Sequence, residues 1–180
     1  MRIADIVRFW QQRGLALGDE EGFRFGDPRW ELHGVGIAWM GTVTAIREAV
    51  VKGLNCLVVH EDLFYPPGYA RKELEPHLVN SVNVARMRAL DEFGICVFRA
   101  HSSLDHLCVL DDFRVALGLP EPAISEGYYR ICEIEPTAAG DLAVDVKHHL
   151  GLDNVRFAGG SERRVHRVGL PWGGLGLSIN

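Results

Sequence analysis

Two apolar runs in the chain share one pattern of hydrophobic and polar positions. Each run follows a glycine that ends a helix-like segment, and each closes on a histidine seven positions after that glycine. The first leads from Gly53 to His60 and the second from Gly94 to His101. A short apolar run after a glycine stop is typical of a buried strand that follows a helix. The pattern therefore predicts two helix–strand units, with a polar residue at the carboxyl end of each strand.

The same periodicity predicts helices and strands along the whole chain. Helical spacing of apolar residues predicts one helix that Thr42 or Thr44 caps and that ends at Lys52. The other predicted helices cover 3–12, 80–93, 107–117 and 138–150. Predicted strands cover 32–40, 56–59, 95–100, 128–134 and 165–170. The polar, glycine-containing segment 19–29 is predicted to be a loop, and the two prolines in 63–68 predict a turn.

Alternating helices and strands predict an α/β fold in which helices flank a mostly parallel or mixed sheet. If the two repeated strands are parallel, their polar ends emerge at the same edge, where open α/β sheets bind ligands. We expect the 180 residues to form a single α/β unit, with a first part over about 1–120 and a second over about 121–180. Because Gly173, Gly174 and Gly176 follow the last strand without a further helix, we expect the second part to end early.

The composition is that of an ordinary globular protein, with 47% hydrophobic residues and a formal net charge of −5. This charge makes nucleic acid an unexpected partner, and the short basic cluster at 163–167 is typical of a solvated surface. The most apolar stretch, 35–46, is shorter than the roughly 18 residues that a membrane span needs. The four cysteines show no CxxC spacing, and no signal peptide is recognisable at the N-terminus. Together these observations predict a reduced, cytoplasmic protein.

Side chains that can bind a metal follow both repeated strands. His60 and Glu61 close the first strand, and His101 and Asp105 follow the second. A carboxylate at the mouth of an apolar strand carries a desolvation cost unless a cation or a donor neutralises it. Imidazole and carboxylate together suit zinc, iron, manganese or cobalt. A single strand-end histidine is more often a structural residue, and Asp105 could merely cap a helix, but the equivalence of the two units favours a metal site.

The remaining histidines are weaker candidates. His148 and His149 are adjacent on an amphipathic helix, so their side chains point in different directions and we interpret them as surface residues. His106 is next to Asp105 and could act only by supporting a ligand. Neither a Gly-x-Ser-x-Gly nucleophile motif nor a phosphate-binding Gly-Lys-Ser/Thr loop is present in the sequence.

These segments resemble the Nif-three-like dinuclear-metal hexameric proteins, which are also called GTP cyclohydrolase I type 2 homologues. The stretch 41–67, with His60 and Glu61 before Leu-Phe-Tyr-Pro-Pro, is similar to the family's first metal motif, usually two histidines followed by proline and an aromatic residue. The sequence Arg-Ala-His-Ser-Ser-Leu-Asp at 99–105 is similar to the second motif, a histidine followed by Thr-Asn-Leu-Asp. Further segments fall in the family's order at 127–134, 150–151, 154–156 and 168–174.

The resemblance implies a ligand set and an assembly. His60 and Asp105 correspond to metal ligands, with Asp105 able to bridge two ions, and Glu61 stands where a second ligating histidine is usual. His101 stands beside the site, as a catalytic group that binds the metal or transfers a proton. The implied cofactor is a divalent metal, zinc, iron or manganese, as one or two ions, and the implied assembly is a homo-oligomer, a hexameric ring. The family completes its site with a later His and Glu, and we expect this chain to lack that C-terminal portion.

Three functional hypotheses follow from these observations. The first is a metal-dependent hydrolase, and the resemblance implies a nucleotide-like or phosphate-containing small molecule as its substrate. The second is a non-catalytic, metal-dependent assembly or regulatory interaction protein, which Glu61 and the missing ligands favour. The third is a doubly wound domain whose strand-end residues bind only water.

Overall fold

The computed structural model describes residues 1–68 and 72–173. The chain divides into two compact units, Met1–Leu104 and a second that begins at Asp105. The organisation expected from the sequence, one α/β unit with two parts that meet near residue 120, stays a prediction. Gly174 and Gly176 of the predicted glycine-rich end lie outside the described residues.

The first unit contains a mixed four-stranded sheet and helices that follow its strands. The strands are β1 (Gly22–Phe25), β2 (Val35–Ala38), β3 (Cys56–Val59) and β4 (Cys96–Arg99). The helices are α1 (Ile6–Gln12), α2 (Val43–Val51), α3 (Ser81–Phe93) and α4 (Ser102–Leu104), with 3-10 turns at Ile3–Asp5 and Glu75–His77. The strand order is β1-β4-β3-β2, in which β2, β3 and β4 are parallel and β1 is antiparallel to β4. The predicted α/β fold with a mixed sheet is confirmed.

Local signals in the sequence account for the ends of α2 and α3. The Thr42 hydroxyl accepts a hydrogen bond from the Ala45 N–H (3.1 Å) and caps α2, as predicted. The Asn80 side chain caps α3 through the Val82 N–H (3.0 Å). Gly94 ends α3 in the left-handed conformation, with φ of 60°, which a residue with a Cβ adopts only at a cost.

The central strands β3 and β4 are buried along their whole length. One face packs against α2 and α3 through a cluster that includes Ile46, Leu57 and Leu90. Phe98 of β4 belongs to a second cluster of buried residues, in which its ring contacts the Trp10 ring of α1, with ring centroids 5.2 Å apart. Burying these apolar side chains supplies the main driving force for folding of the unit.

Two predicted elements differ from the structure. The loop predicted for 19–29 is wrong, because Gly22–Phe25 forms β1 and pairs with β4, where Phe23 packs against Phe98 (ring centroids 5.1 Å). The helix predicted to begin at residue 107 begins earlier, at Ser102. From Leu104 the chain continues without interruption into a π-helical turn, Asp105–Val109.

The second unit contains a three-stranded antiparallel sheet in the order β5-β6-β7. Its strands are β5 (Pro122–Glu126), β6 (Tyr129–Ala138) and β7 (Arg164–Pro171), and its helices are α5 (Leu110–Ala116) and α6 (Ala139–His149). β5 is a strand that the sequence analysis does not predict. Within 1–68 and 72–173, none of the helices combines the length and the apolar character that a membrane crossing requires.

Candidate metal centre

His60 and His101 meet at the carboxyl edge of the first sheet. His60 directly follows β3, and His101 follows β4 after Ala100. The two strands are parallel neighbours in register, so their ends emerge together. The two imidazole rings lie edge to face, with centroids 4.6 Å apart and planes at 77°. The expected convergence of the two strand ends is confirmed.

Neighbouring strands hold His60 in place. Its side chain is buried, and its ring stacks on the Trp39 indole with a centroid distance of 4.0 Å and an interplanar angle of 12°. The Trp39 carbonyl accepts hydrogen bonds from the N–H groups of His60 (3.2 Å) and Glu61 (2.8 Å). The Arg99 Nε–H donates to the His60 carbonyl (3.1 Å). Both the ring and the backbone of His60 are therefore positioned before any ligand binds.

His101 contacts two consecutive glutamates from the segment before β1. Its Nδ1 lies 2.6 Å from Glu20 Oε1, and its backbone N–H donates to Glu21 Oε1 (2.5 Å). The Glu20 side chain is about half exposed, at 51%, whereas Glu21 is buried. One glutamate thus contacts the imidazole and the other holds the backbone.

The Glu21 carboxylate is surrounded by hydrogen-bond donors. Oε1 also accepts from the Ser103 N–H (3.0 Å) and hydroxyl (2.6 Å), and Oε2 accepts from the Gly18 N–H (2.6 Å). Trp10 Nε1–H in turn donates to the Ser103 hydroxyl (2.8 Å). Burial alone raises the pKa of Glu21, but the hydrogen bonds from Ser103, Gly18 and His101 outweigh it and hold the pKa below its ordinary value.

Asp105 follows α4 directly in the chain and is the third residue with a metal-binding side chain at this edge. Its side chain is buried, and Oδ1 accepts a hydrogen bond from Trp172 Nε1–H (2.7 Å). His60, His101 and Asp105 each offer one nitrogen or oxygen atom, and these atoms all lie within 4.8 Å of one another. The structure thus contains a His–His–Asp group that could hold a metal ion.

Residues 2–178 match the family described as Duf34/NIF3 (NGG1p interacting factor 3). The chain belongs to this family. The match spans both strand ends and most of the second unit, so the resemblance drawn from the two sequence motifs is confirmed. No curated protein matches the chain in sequence.

Solved structures share the fold of this NIF3 family member. The hypothetical protein SA1388 of Staphylococcus aureus is 21% identical, with a TM-score of 0.79 over 98% of this chain and 73% of that chain. A Bacillus cereus protein related to NIF3 is 16% identical, with a TM-score of 0.78 over 96% of this chain and 76% of that chain. Reduced HcgD from Methanocaldococcus jannaschii is 22% identical, with a TM-score of 0.60 over 82% of this chain and 59% of that chain. At these identities the likeness establishes the fold alone.

The other predicted site residues of this NIF3 family member lie beside or away from the group. Glu61 is half-buried, and its Oε1 lies 3.7 Å from His60 Nδ1, so its role as a ligand stays a prediction. The catalytic role of His101 also stays a prediction. His106 is exposed, with its ring centroid 4.7 Å from that of Tyr128. His148 and His149 are exposed on α6, so their interpretation as surface residues is confirmed.

The sequence analysis does not find five residues that contact the group or hold it in place: Trp39, Arg99, Glu20, Glu21 and Trp172. Arg99 carries a signal, because a charged residue within an apolar strand needs a buried partner. The adjacent glutamates carry little signal, since they precede a glycine in a polar segment. Their contacts to His101 join residues about 80 positions apart. A local pattern in the sequence cannot indicate a contact between residues so far apart.

The donor set fits a divalent transition metal. Two imidazoles and one carboxylate are ligands that zinc accepts in sites with a further open position, and iron and manganese accept the same atoms. Hydrogen bonds to the imidazole or carboxylate from outside the ligand set are usual in metal sites, and both His101 and Asp105 have them.

Proposed function

We propose that this NIF3 family member binds a divalent metal ion through His60, His101 and Asp105 and acts as a metal-dependent hydrolase. The observation that carries the proposal is the convergence of these three side chains, with ligand atoms within 4.8 Å of one another. Zinc, iron and manganese suit this donor set. A count of one or two ions, with Asp105 as the bridge between two, comes from the family resemblance.

The surrounding residues define what the chain itself contributes. Trp39 covers one face of the His60 ring, which limits its rotation and shields it from water. Trp172 fixes one oxygen of Asp105. When bound, a divalent ion supplies Lewis-acid chemistry, polarising a phosphoryl or carbonyl oxygen and acidifying water. Glu61 is proposed as an additional ligand, and its carboxylate would favour harder ions such as manganese or iron over zinc.

The proposed substrate is a small molecule that contains phosphate or resembles a nucleotide, as the family label implies. The experiment loads the metal-free protein separately with Zn²⁺, Mn²⁺ and Fe²⁺ and assays hydrolysis of p-nitrophenyl phosphate and GTP. The test variant is His60→Ala/Asp105→Ala, and the matched control is His148→Ala/His149→Ala on the exposed face of α6. We expect hydrolysis in the wild type and the control and its loss in the test variant. Equal turnover in the test variant, or none in the loaded wild type, would refute the hydrolase assignment.

A second candidate function is metal-dependent assembly or regulatory interaction without turnover. It is favoured by the edge strand β2, in which Val35 and Ile37 are exposed, and by Trp39, which directly follows the strand. Ile37 is exposed to 81% and Trp39 to 54%. Exposed apolar residues along a sheet edge often mark a contact surface. Sedimentation of the protein with and without Mn²⁺ tests this function, with Ile37→Lys as the disrupting variant. The hexameric ring and the cytoplasmic location stay predictions.

A further inference from the structure

We propose that Glu20 is a positioning residue that fixes the tautomer of His101, so that His101 presents Nε2 to the metal. The inference rests on the proposed metal site and adds a residue that lies outside the ligand group. It is carried by the contact between Glu20 Oε1 and His101 Nδ1, at 2.6 Å.

The chemistry of the two side chains determines which atom carries the proton. An ionised carboxylate can only accept hydrogen bonds, so His101 Nδ1 must donate its N–H to Glu20. In a neutral imidazole the other nitrogen then carries the lone pair. Nε2 is therefore the atom available to a metal ion. Metal-binding histidines commonly show this arrangement, in which the second ring nitrogen donates to a carboxylate or a carbonyl.

Arg99 holds Glu20 in the required place. Its Nη1 lies 3.5 Å from Glu20 Oε2 and donates to the Glu20 carbonyl (3.2 Å), while its Nε–H donates to the His60 carbonyl (3.1 Å). Its side chain is only 9% exposed. One buried guanidinium thus connects the segment that carries Glu20 to the backbone of the other metal-binding histidine.

The backbone near His101 does not depend on the Glu20 side chain. The neighbouring Glu21 binds the N–H groups of His101 and Ser103 and keeps the segment attached to α4. Replacing Glu20 should therefore remove its effect on the imidazole while leaving the chain in place. This separation makes Glu20→Ala a direct probe of positioning.

The first experiment titrates the metal-free protein with Co²⁺ and follows the visible absorption of the bound ion. We expect Glu20→Ala to weaken Co²⁺ binding about 10- to 100-fold and to change the absorption spectrum, with Glu20→Gln between it and the wild type. Asp19→Ala is the matched control, since Asp19 is an exposed acidic residue one position earlier. It should bind Co²⁺ as the wild type does. If Glu20→Ala binds as tightly as the wild type, with the same spectrum, the positioning role is overturned while the metal site stands.

The second experiment needs no metal. Long-range ¹H–¹⁵N correlation spectra of the imidazoles report the His101 tautomer, with His101→Gln assigning its signals. We expect the Nδ1–H form in the wild type and a shift towards Nε2–H, the usual form in water, in Glu20→Ala. A wild-type Nε2–H tautomer would overturn the inference even if Co²⁺ binds. A correct tautomer without any Co²⁺ binding would instead refute the proposed metal site, and unchanged urea unfolding of Glu20→Ala checks that the variant is folded.

Discussion

Replacing Glu21 should destabilise the first unit more than any exposed substitution nearby. Its carboxylate accepts hydrogen bonds from Gly18 N–H, His101 N–H and both the N–H and hydroxyl of Ser103. Alanine at this position would leave these donors, of which those of Ser103 are buried, without their acceptor. Glutamine would keep one oxygen for the donors on Oε1 but would turn an amide NH₂ towards the Gly18 N–H.

The magnitude follows from these contacts. Hydrogen bonds to a charged group contribute about 1.5–3 kcal/mol each, and they are not additive when they share one acceptor. Some of the donors would recover water after the substitution. We therefore expect Glu21→Ala to lower the free energy of unfolding by about 4 kcal/mol and Glu21→Gln by about 2 kcal/mol.

The pH dependence of stability gives a second readout. The pKa of Glu21 is lower in the folded protein than its ordinary value of 4.5. The ionised carboxylate therefore stabilises the fold above that ordinary value, and this contribution is lost as the pH falls through the lower, folded-state pKa. The difference in unfolding free energy between the wild type and Glu21→Gln should shrink as the pH falls from about 6 towards about 3.

Urea unfolding measures both effects, with one transition fitted for each compact unit. The loss should fall on the transition of Met1–Leu104, since every group involved lies there. Glu20→Gln is the matched control, because Glu20 is half exposed and its ion pairs should contribute less than about 1 kcal/mol. A loss below about 1 kcal/mol in Glu21→Ala, or the same loss in both variants, would refute the reasoning.

Two further predictions concern buried groups of the first unit. Burial raises the pKa of Cys56 to about 11 and that of Cys96 to about 12. At about pH 8 both thiols should therefore react with DTNB at least about a hundredfold more slowly than free cysteine, until urea unfolds the unit. Rapid reaction of the native protein would contradict this. Asn83 is fully buried, and its side chain donates to two backbone carbonyls and accepts from one backbone N–H. Asn83→Ala should therefore lower the free energy of unfolding by about 3 kcal/mol. An unchanged urea midpoint would contradict this prediction.

The predictions from sequence succeed where the determinants are local. Gly53 and Gly94 end their helices and Thr42 begins one, because these residues satisfy or permit a particular backbone geometry within a few positions. The apolar runs that follow the glycines then form β3 and β4. Since parallel neighbouring strands bring their carboxyl ends together, the meeting of His60 and His101 could be predicted from the same pattern.

Features that depend on distant partners could not be predicted. β1 has four residues, and its pairing with β4 gives it strand geometry that its own sequence scarcely favours. Burial on α3 shows the same limit. The spacing of apolar residues on this helix predicts Val84, Met87 and Leu90 as its inward residues, but of these only Leu90 is buried. Asn83 and Arg86 are buried as well, because they bind backbone carbonyls of other segments. A polar side chain whose partner lies far along the chain carries no periodic signal.

We propose that the ends of β3 and β4, together with Asp105, bind a divalent metal ion. Elemental analysis of the protein after incubation with Zn²⁺ or Mn²⁺ and removal of free metal tests this binding most directly. We expect about one or two ions per chain in the wild type. We expect the same content in His148→Ala/His149→Ala and a loss of nearly all metal in His60→Ala/Asp105→Ala. A wild type without metal after incubation, or a His60→Ala/Asp105→Ala variant that retains metal, would contradict the proposed site.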